Sequence, residues 1–177
     1  ITFSIDQQKL VTSDRNLRSD HIAVAGIVAS CYAEEPHRVM WNLLGDGKIA
    51  GLTYNREPGA QVSAWHQHKI AGSFGSGDAV VESITVIPGP DETTDDVWIA
   101  IKRTINSATV RYLEYMTKPL TYGEAIEDGV YMDSAISYSG SAVTNVTGLG
   151  HLEGQTVAVL ADGLYSTNVV TGGTLAS

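Results

Sequence analysis

One cysteine, five prolines and eleven basic residues are all that this 177-residue chain holds of three informative kinds. Cys31 has no second cysteine, so no internal disulfide can act as a framework. Five prolines against 18 glycines, without a triplet period, exclude collagen, and a charged fraction of 18% is too low for a coiled coil. The 11 basic residues face 20 acidic ones, giving a net charge of −9. Binding along a phosphate backbone would then require strong segregation of the few cations. No apolar run approaches the roughly 20 residues that a membrane-spanning helix needs. Ile1 is not an initiator methionine and no signal peptide precedes it, so the chain is expected to be processed or a portion of something larger. What is present is a 43% hydrophobic content, enough to bury a real core in one ordinary domain or two small ones.

The recurring pattern is β. Short runs rich in Val, Ile, Thr and aromatics alternate with glycine-bearing or acidic turns. Arg38–Leu44 reads as a strand with Val39, Trp41 and Leu43 on one face. Gly45-Asp46-Gly47 supplies a tight turn, and Ile49–Tyr54 returns. Val62–His68, Val80–Ile87, Val97–Arg103 and Ala108–Met116 follow, separated by Gly72–Gly77, Pro88-Gly89-Pro90 with the acidic Asp91–Asp96, and Thr104–Ser107. Six strands in some eighty residues predict an antiparallel meander. Leu17–Ala33 fits helix and strand equally.

Thr117-Lys118-Pro119 reads as a linker, because proline donates no ladder hydrogen bond and restricts its predecessor. The expected division is therefore a β-rich portion over 1–116 and a small glycine-rich β module over 117–177. In the latter, Val130–Ser137 alternates weakly. Gln155–Ala161 is a clear strand, Asp162-Gly163 a hairpin turn, and Asn168–Val170 leads to a turn at Gly172-Gly173. Trp41, Trp65 and Trp98 each sit in a strand, and 36–70 and 78–116 have similar lengths. That echo suggests two consecutive propeller-like blades.

The residues that could carry chemistry are few. His66 and His68 in a strand point to one side, about 6–7 Å apart, a spacing that can chelate zinc. His37, Glu34 or Glu35 could supply a third ligand, but nothing in the sequence positions them, and isolated His-x-His pairs more often pack or face solvent. No metal is assigned. Cys31 lies in an apolar run and reads as a small buried hydrophobe rather than a nucleophile. Asp91, Glu92, Asp95 and Asp96 lack the spacing of a calcium loop. Asn145-Val146-Thr147 is a glycosylation sequon without a visible secretory context. Gly72–Gly77 lacks the Lys-Ser/Thr of a phosphate loop, and there is no G-x-S-x-G elbow. Arg103, Arg111 and Glu114 read as cross-strand ion pairing that fixes a hairpin register. No catalytic, cofactor-binding or metal residue is assigned, and the chain is not expected to be an enzyme.

A longer set of motifs carries a resemblance. It begins with Pro36-His37-Arg38-Val39-Met40-Trp41, Asp46-Gly47, Gly51-Leu52-Thr53-Tyr54-Asn55-Arg56-Glu57 and Val62-Ser63-Ala64-Trp65-His66-Gln67-His68. Val81-Glu82-Ser83-Ile84-Thr85-Val86-Ile87-Pro88, Val97-Trp98-Ile99-Ala100-Ile101-Lys102-Arg103-Thr104-Ile105-Asn106 and Val110-Arg111-Tyr112-Leu113-Glu114 follow. Together they resemble the phage tail nozzle, or tail tubular (tail hub), structural protein family. Tyr131-Met132-Asp133-Ser134 and the stretch from Gly148 to Gly163 resemble the small β module that follows in that family, similar in pattern to a β domain of ubiquitin-activating enzymes. The resemblance covers roughly Asn16 to Gly173, although nozzle proteins are much longer than this chain.

It implies an all-β fold, with propeller-like blades followed by a small β-sandwich or barrel-like module. It also implies a structural virion protein of a bacteriophage tail, made in the bacterial cytoplasm and needing no cofactor. Its partners would be further copies in a ring, six in the family, and other tail proteins. Genome DNA would pass through the ring without specific binding, and nothing would insert in a membrane. The alternative is a β-sheet module recognising a host-surface carbohydrate or receptor through aromatics such as Trp65, Tyr122 and Tyr138.

Overall fold

The computed structural model describes residues 2–4, 9–11, 19–57, 60–90, 93–126, 129–130 and 133–176. Strands take up 53% of the chain, so the all-β expectation holds. In chain order they are β1 (Thr2–Ser4), β2 (Lys9–Val11), β3 (Ile27–Ala33), β4 (Val39–Leu44), β5 (Ile49–Glu57), β6 (Ala60–His68), β7 (Ser73–Phe74) and β8 (Gly77–Asp78). Then come β9 (Val80–Pro88), β10 (Asp95–Ile105), β11 (Ala108–Met116), β12 (Asn145–Thr147), β13 (Thr156–Ala161), β14 (Leu164–Val169) and β15 (Thr174–Ala176). The ambiguous stretch from Leu17 resolves into turns over residues 19–25 and then strand β3. No strand forms over 133–137, and Tyr131 and Met132 of the weak alternation lie outside the described residues.

Two antiparallel meanders form the main body, one in the order β3-β4-β5-β6 and the other β9-β10-β11. The Trp-marked pieces 36–70 and 78–116 fall on these two sheets, which pack face to face. Period-two alternation decides what is buried. Val39, Trp41 and Leu43 of β4 meet Val97, Ile99 and Ile101 of β10, with Ile49, Ile70, Ala79 and Val81 completing the cluster. Cys31 packs on it half-buried, as a small hydrophobe does.

Backbone hydrogen bonds sew the sheets together at two turns. Val81 N–H donates to Gly47 C=O at 2.9 Å, and Asp95 N–H donates to Glu35 C=O at 3.0 Å. Gly47 is required there twice over. Its φ is +80°, and a Cβ would lie 2.6 Å from Cγ1 of Val80.

β10 continues its buried alternation one step beyond Ile101 into Arg103, a guanidinium with 0% exposure. Arg103 Nε donates to Ala71 C=O at 2.9 Å, and Nη2 donates to Ser134 Oγ at 3.1 Å. Both terminal nitrogens grip the Glu114 carboxylate of β11, Nη1 to Oε1 and Nη2 to Oε2. On the opposite face of the same sheet Glu82 accepts from Arg111 Nε at 2.6 Å and pairs with Lys102 at 3.2 Å. The expected cross-strand pairing is thus present, with Arg111 serving the outer face rather than Glu114.

Beyond Met116 a second apolar cluster gathers Leu149, Leu152, Val170 and Leu175, with Val157, Val159 and Ala71 against it. The β13–β14 hairpin turns at Asp162-Gly163 as the sequence predicts, with Leu160 opposite Tyr165. The Glu153 carboxylate accepts from the amides of Gly172 and Gly173 at 2.9 and 2.7 Å, which fixes the turn before β15. This segment leans on the sandwich through Gln155 Nε2, 3.3 Å from Ser73 Oγ, and through His151, edge-on to the Tyr112 ring.

Removing the buried ion pair's acid leaves a guanidinium without its charge partner. Glu114→Ala should therefore lower the unfolding free energy by about 3 kcal/mol or more in urea titrations. The solvent-facing Glu82→Ala should show only a small fraction of that loss. Equal losses would show that Arg103 is not the keystone described.

Candidate functional site

The sheets touch where β3 and β4 meet β9 and β10. On the side of β6 and β11 a cavity of about 1330 Å³ lies between them. Trp41, His66 and His68 face it from one sheet and Tyr112 and Glu114 from the other, while Asp133 approaches from the segment after β11.

His66 and His68 share one side of β6, as period two requires, and are closer than their backbone spacing implies. His66 Nδ1 and His68 Nε2 are 2.7 Å apart, a hydrogen bond between imidazoles. The rings meet at 79°, with centroids 4.9 Å apart, and both pack on Trp41, His66 edge-on at 5.4 Å and His68 tilted at 5.2 Å. Gly51 makes this possible. It pairs with Trp41 on one side and His66 on the other. A Cβ on Gly51 would sit 2.1 Å from Cε1 of His66, so the imidazole occupies the space that any other residue would fill.

Both imidazoles are held below the ordinary histidine range. Burial is the main cause for His66, and the neighbouring His68 adds to it. Burial dominates at His68 too, partly offset by the Asp133 carboxylate. Asp133, exposed as a residue, is pushed above its ordinary value by the partial burial of its carboxyl group, with His68 pulling the other way. The pair is therefore neutral near pH 7.

The remaining sequence candidates are distributed as follows. Glu34, Glu35 and His37 line the same cavity, but Asp95 Oδ2 accepts from the amides of Glu34 and Glu35 at 2.7 and 3.1 Å. Among the described residues no three His, Cys, Asp or Glu side chains are grouped so that they could hold a metal ion. Asp91 and Glu92 of the acidic run lie outside the described residues. Trp65 is on the face of β6 away from the histidines, while Tyr122 and Tyr138 are exposed. Asn145 of the sequon is exposed in β12. Sequence reasoning missed Gly51, Trp41 and Asp133 as parts of one site. Only the Trp41–Gly51–His66 register across three strands reveals the first two.

Two outcomes test this geometry. Gly51→Ala should destabilise the fold by about 1–3 kcal/mol through overpacking, and imidazole NMR should show the His66–His68 contact broken. The acid response follows from linkage. Unfolded histidines titrate near 6.5, so below that pH the unfolded chain binds more protons and folded stability falls towards the lowered folded values. Asp133, raised in the fold, works in the opposite sense, from its ordinary 3.8 upward. The melting temperature should drop between pH 7 and 5.5, and less steeply in His68→Gln. Parallel slopes would remove the pair as the cause.

No family model, curated protein or solved structure matches this chain.

Proposed function

We propose that the chain is a structural subunit of a bacteriophage tail nozzle or hub, assembling head to tail with further copies into a ring around the DNA exit path. The order of motifs from Pro36 to Gly163 supports the family, and with it the virion location, the hexameric count and the propeller-like relation of the two sheets. The observation that carries assembly is the placement of uncharged apolar surface on a chain of net charge −9.

Two such surfaces stand apart. One is the segment from Ile22 to Ala33, twelve residues without a charge. It exposes Val24 (81%), Val28 (69%), Ile27 and Tyr32. The other is the β13–β14 hairpin, whose one charged residue is Asp162. It exposes Leu160 (72%), Leu164 (76%) and Tyr165 (72%). Exposed apolar patches of this kind mark interaction sites, and interface cores are depleted in charge. Acidic copies repel one another elsewhere and approach best where charge is missing. Two different patches suit a heterologous contact, which closes into a ring when the rotation allows. The hairpin also leaves both outer strand edges without a ladder partner among the described residues, available to a neighbour. The acidic surplus would keep DNA from adhering as it passes.

Val28→Glu and Leu164→Glu alter exposed side chains and should leave the fold intact. In mass photometry the parent should form oligomers, and each variant should remain monomeric. An equal mixture of the two variants should yield dimers, since one intact surface of each kind remains per pair. A parent that stays monomeric at every accessible concentration would defeat the proposal. So would variants that assemble like the parent.

A further inference from the structure

The imidazole pair shows an unusual property to the cavity. In a hydrogen bond between two neutral imidazoles one ring donates and the other accepts. If His66 Nδ1 carries the shared proton, His66 Nε2 is left as an acceptor and His68 Nδ1 as a donor. If His68 Nε2 carries it, the two roles exchange. Either tautomer leaves one donor and one acceptor on the outer nitrogens, and no hydrogen bond among the described residues occupies either of them. An anion calls for donors alone and a cation for acceptors alone. A hydroxyl group, which donates and accepts at once, matches both.

The surroundings agree. The two cations of the lining are each engaged by a carboxylate, Arg38 by Glu34 at 3.8 Å and Lys118 by Glu124. Glu114 is spent on Arg103. An anionic ligand would therefore meet carboxylates without a free counter-charge among the described residues. Among those residues no hydrogen bond reaches the Asp133 carboxylate, which adds an acceptor for a further hydroxyl. Tyr112 across from the pair adds aromatic surface, against which the C–H face of a sugar ring packs. The volume of about 1330 Å³ exceeds the need of a single sugar ring and suits a short oligosaccharide.

We propose that the cavity between the two sheets binds a neutral saccharide, with the His66–His68 pair and Asp133 taking its hydroxyl groups and Tyr112 its apolar face. The site does not depend on the ring: none of the residues named for contact with the sugar belongs to the two uncharged surfaces, which the cavity meets only at the buried Ala33. It also differs from glycan recognition by Trp65, Tyr122 and Tyr138, none of which lines the cavity.

Saturation-transfer NMR on the whole chain at pH 7.5 tests it, with glucose, galactose, N-acetylglucosamine and rhamnose and their disaccharides as probes. At least one should receive saturation. Its affinity should fall roughly tenfold or more in Asp133→Ala, an exposed position that leaves folding intact, and in His68→Leu where circular dichroism confirms the fold. Tetramethylammonium and inorganic phosphate, run as competitors, should not displace it. The proposal is overturned if no neutral sugar binds, or if binding is unchanged in both variants. Displacement by tetramethylammonium would overturn it in favour of an organic-cation site, and displacement by phosphate in favour of an anion site.

Discussion

The fold turns on one buried cation. Arg103 occupies the position on β10 where the alternation of Val97, Ile99 and Ile101 calls for another apolar side chain. A guanidinium without water is tolerable only when its donors are taken. Its partners come from three separate places: a loop carbonyl at Ala71, the carboxylate of Glu114 on β11, and the hydroxyl of Ser134 beyond the predicted linker. Satisfying one side chain thus fixes the β10–β11 register. It also anchors the connection that leaves β6 and draws the segment after Met116 back to the sandwich. The planar fork of arginine suits this, since the three donors of a lysine radiate from a single nitrogen and could not span partners set separately at Nε, Nη1 and Nη2.

That anchoring also shapes the cavity. Glu114 faces the space between the sheets, and its engagement by Arg103 removes a charge from the wall that it would otherwise dominate. Ser134 is neighbour to Asp133, so the bond holding Ser134 places the carboxylate near His68. The imidazole pair is fixed from the other side by Trp41 and by Gly51, whose missing side chain leaves the space that the His66 ring fills.

Much of the fold was legible because it is local. The strands β4 to β6 and β9 to β11 announce themselves by alternation, and turns are expected at Gly45-Asp46-Gly47, Thr104–Ser107 and Asp162-Gly163; the two-residue strands β7 and β8, in the stretch that reads as a glycine-rich turn, are too short to show a pattern. Asn106, Ser107 and Asp162 do take up positive φ. The cross-strand pairing of Arg103 and Glu114 was readable from their places on a hairpin. That Arg103 would be the most buried polar side chain was not, because its other partners lie 32 and 31 residues away. The His-x-His spacing correctly put both rings on one side. It could not show that they bond to each other, since that requires Gly51 opposite, a condition set by strand register rather than by sequence neighbourhood. Leu17–Ala33 was ambiguous for a physical reason: it carries hydrophobics on more faces than a half-buried strand needs.

That excess has a consequence of its own. A strand serving only the core would keep Ala29, Cys31 and Ala33 inward and place polar residues between them. β3 instead carries Val28 and Tyr32 outward, and the turn before it exposes Val24. The β13–β14 hairpin breaks the same rule: Val157 and Val159 satisfy the small second core, while Leu160, Leu164 and Tyr165 face out. Solubility favours charge at such positions, and the chain has acidic residues in surplus elsewhere. Two surfaces kept apolar against that tendency, at separate places in the fold, are what a head-to-tail contact needs. Ala71, whose carbonyl Arg103 holds, also packs against the small second core with Val157 and Val159, so the buried cation and the hairpin share a neighbour, and a ring that closes would require the placement of the two surfaces to be the same in every copy.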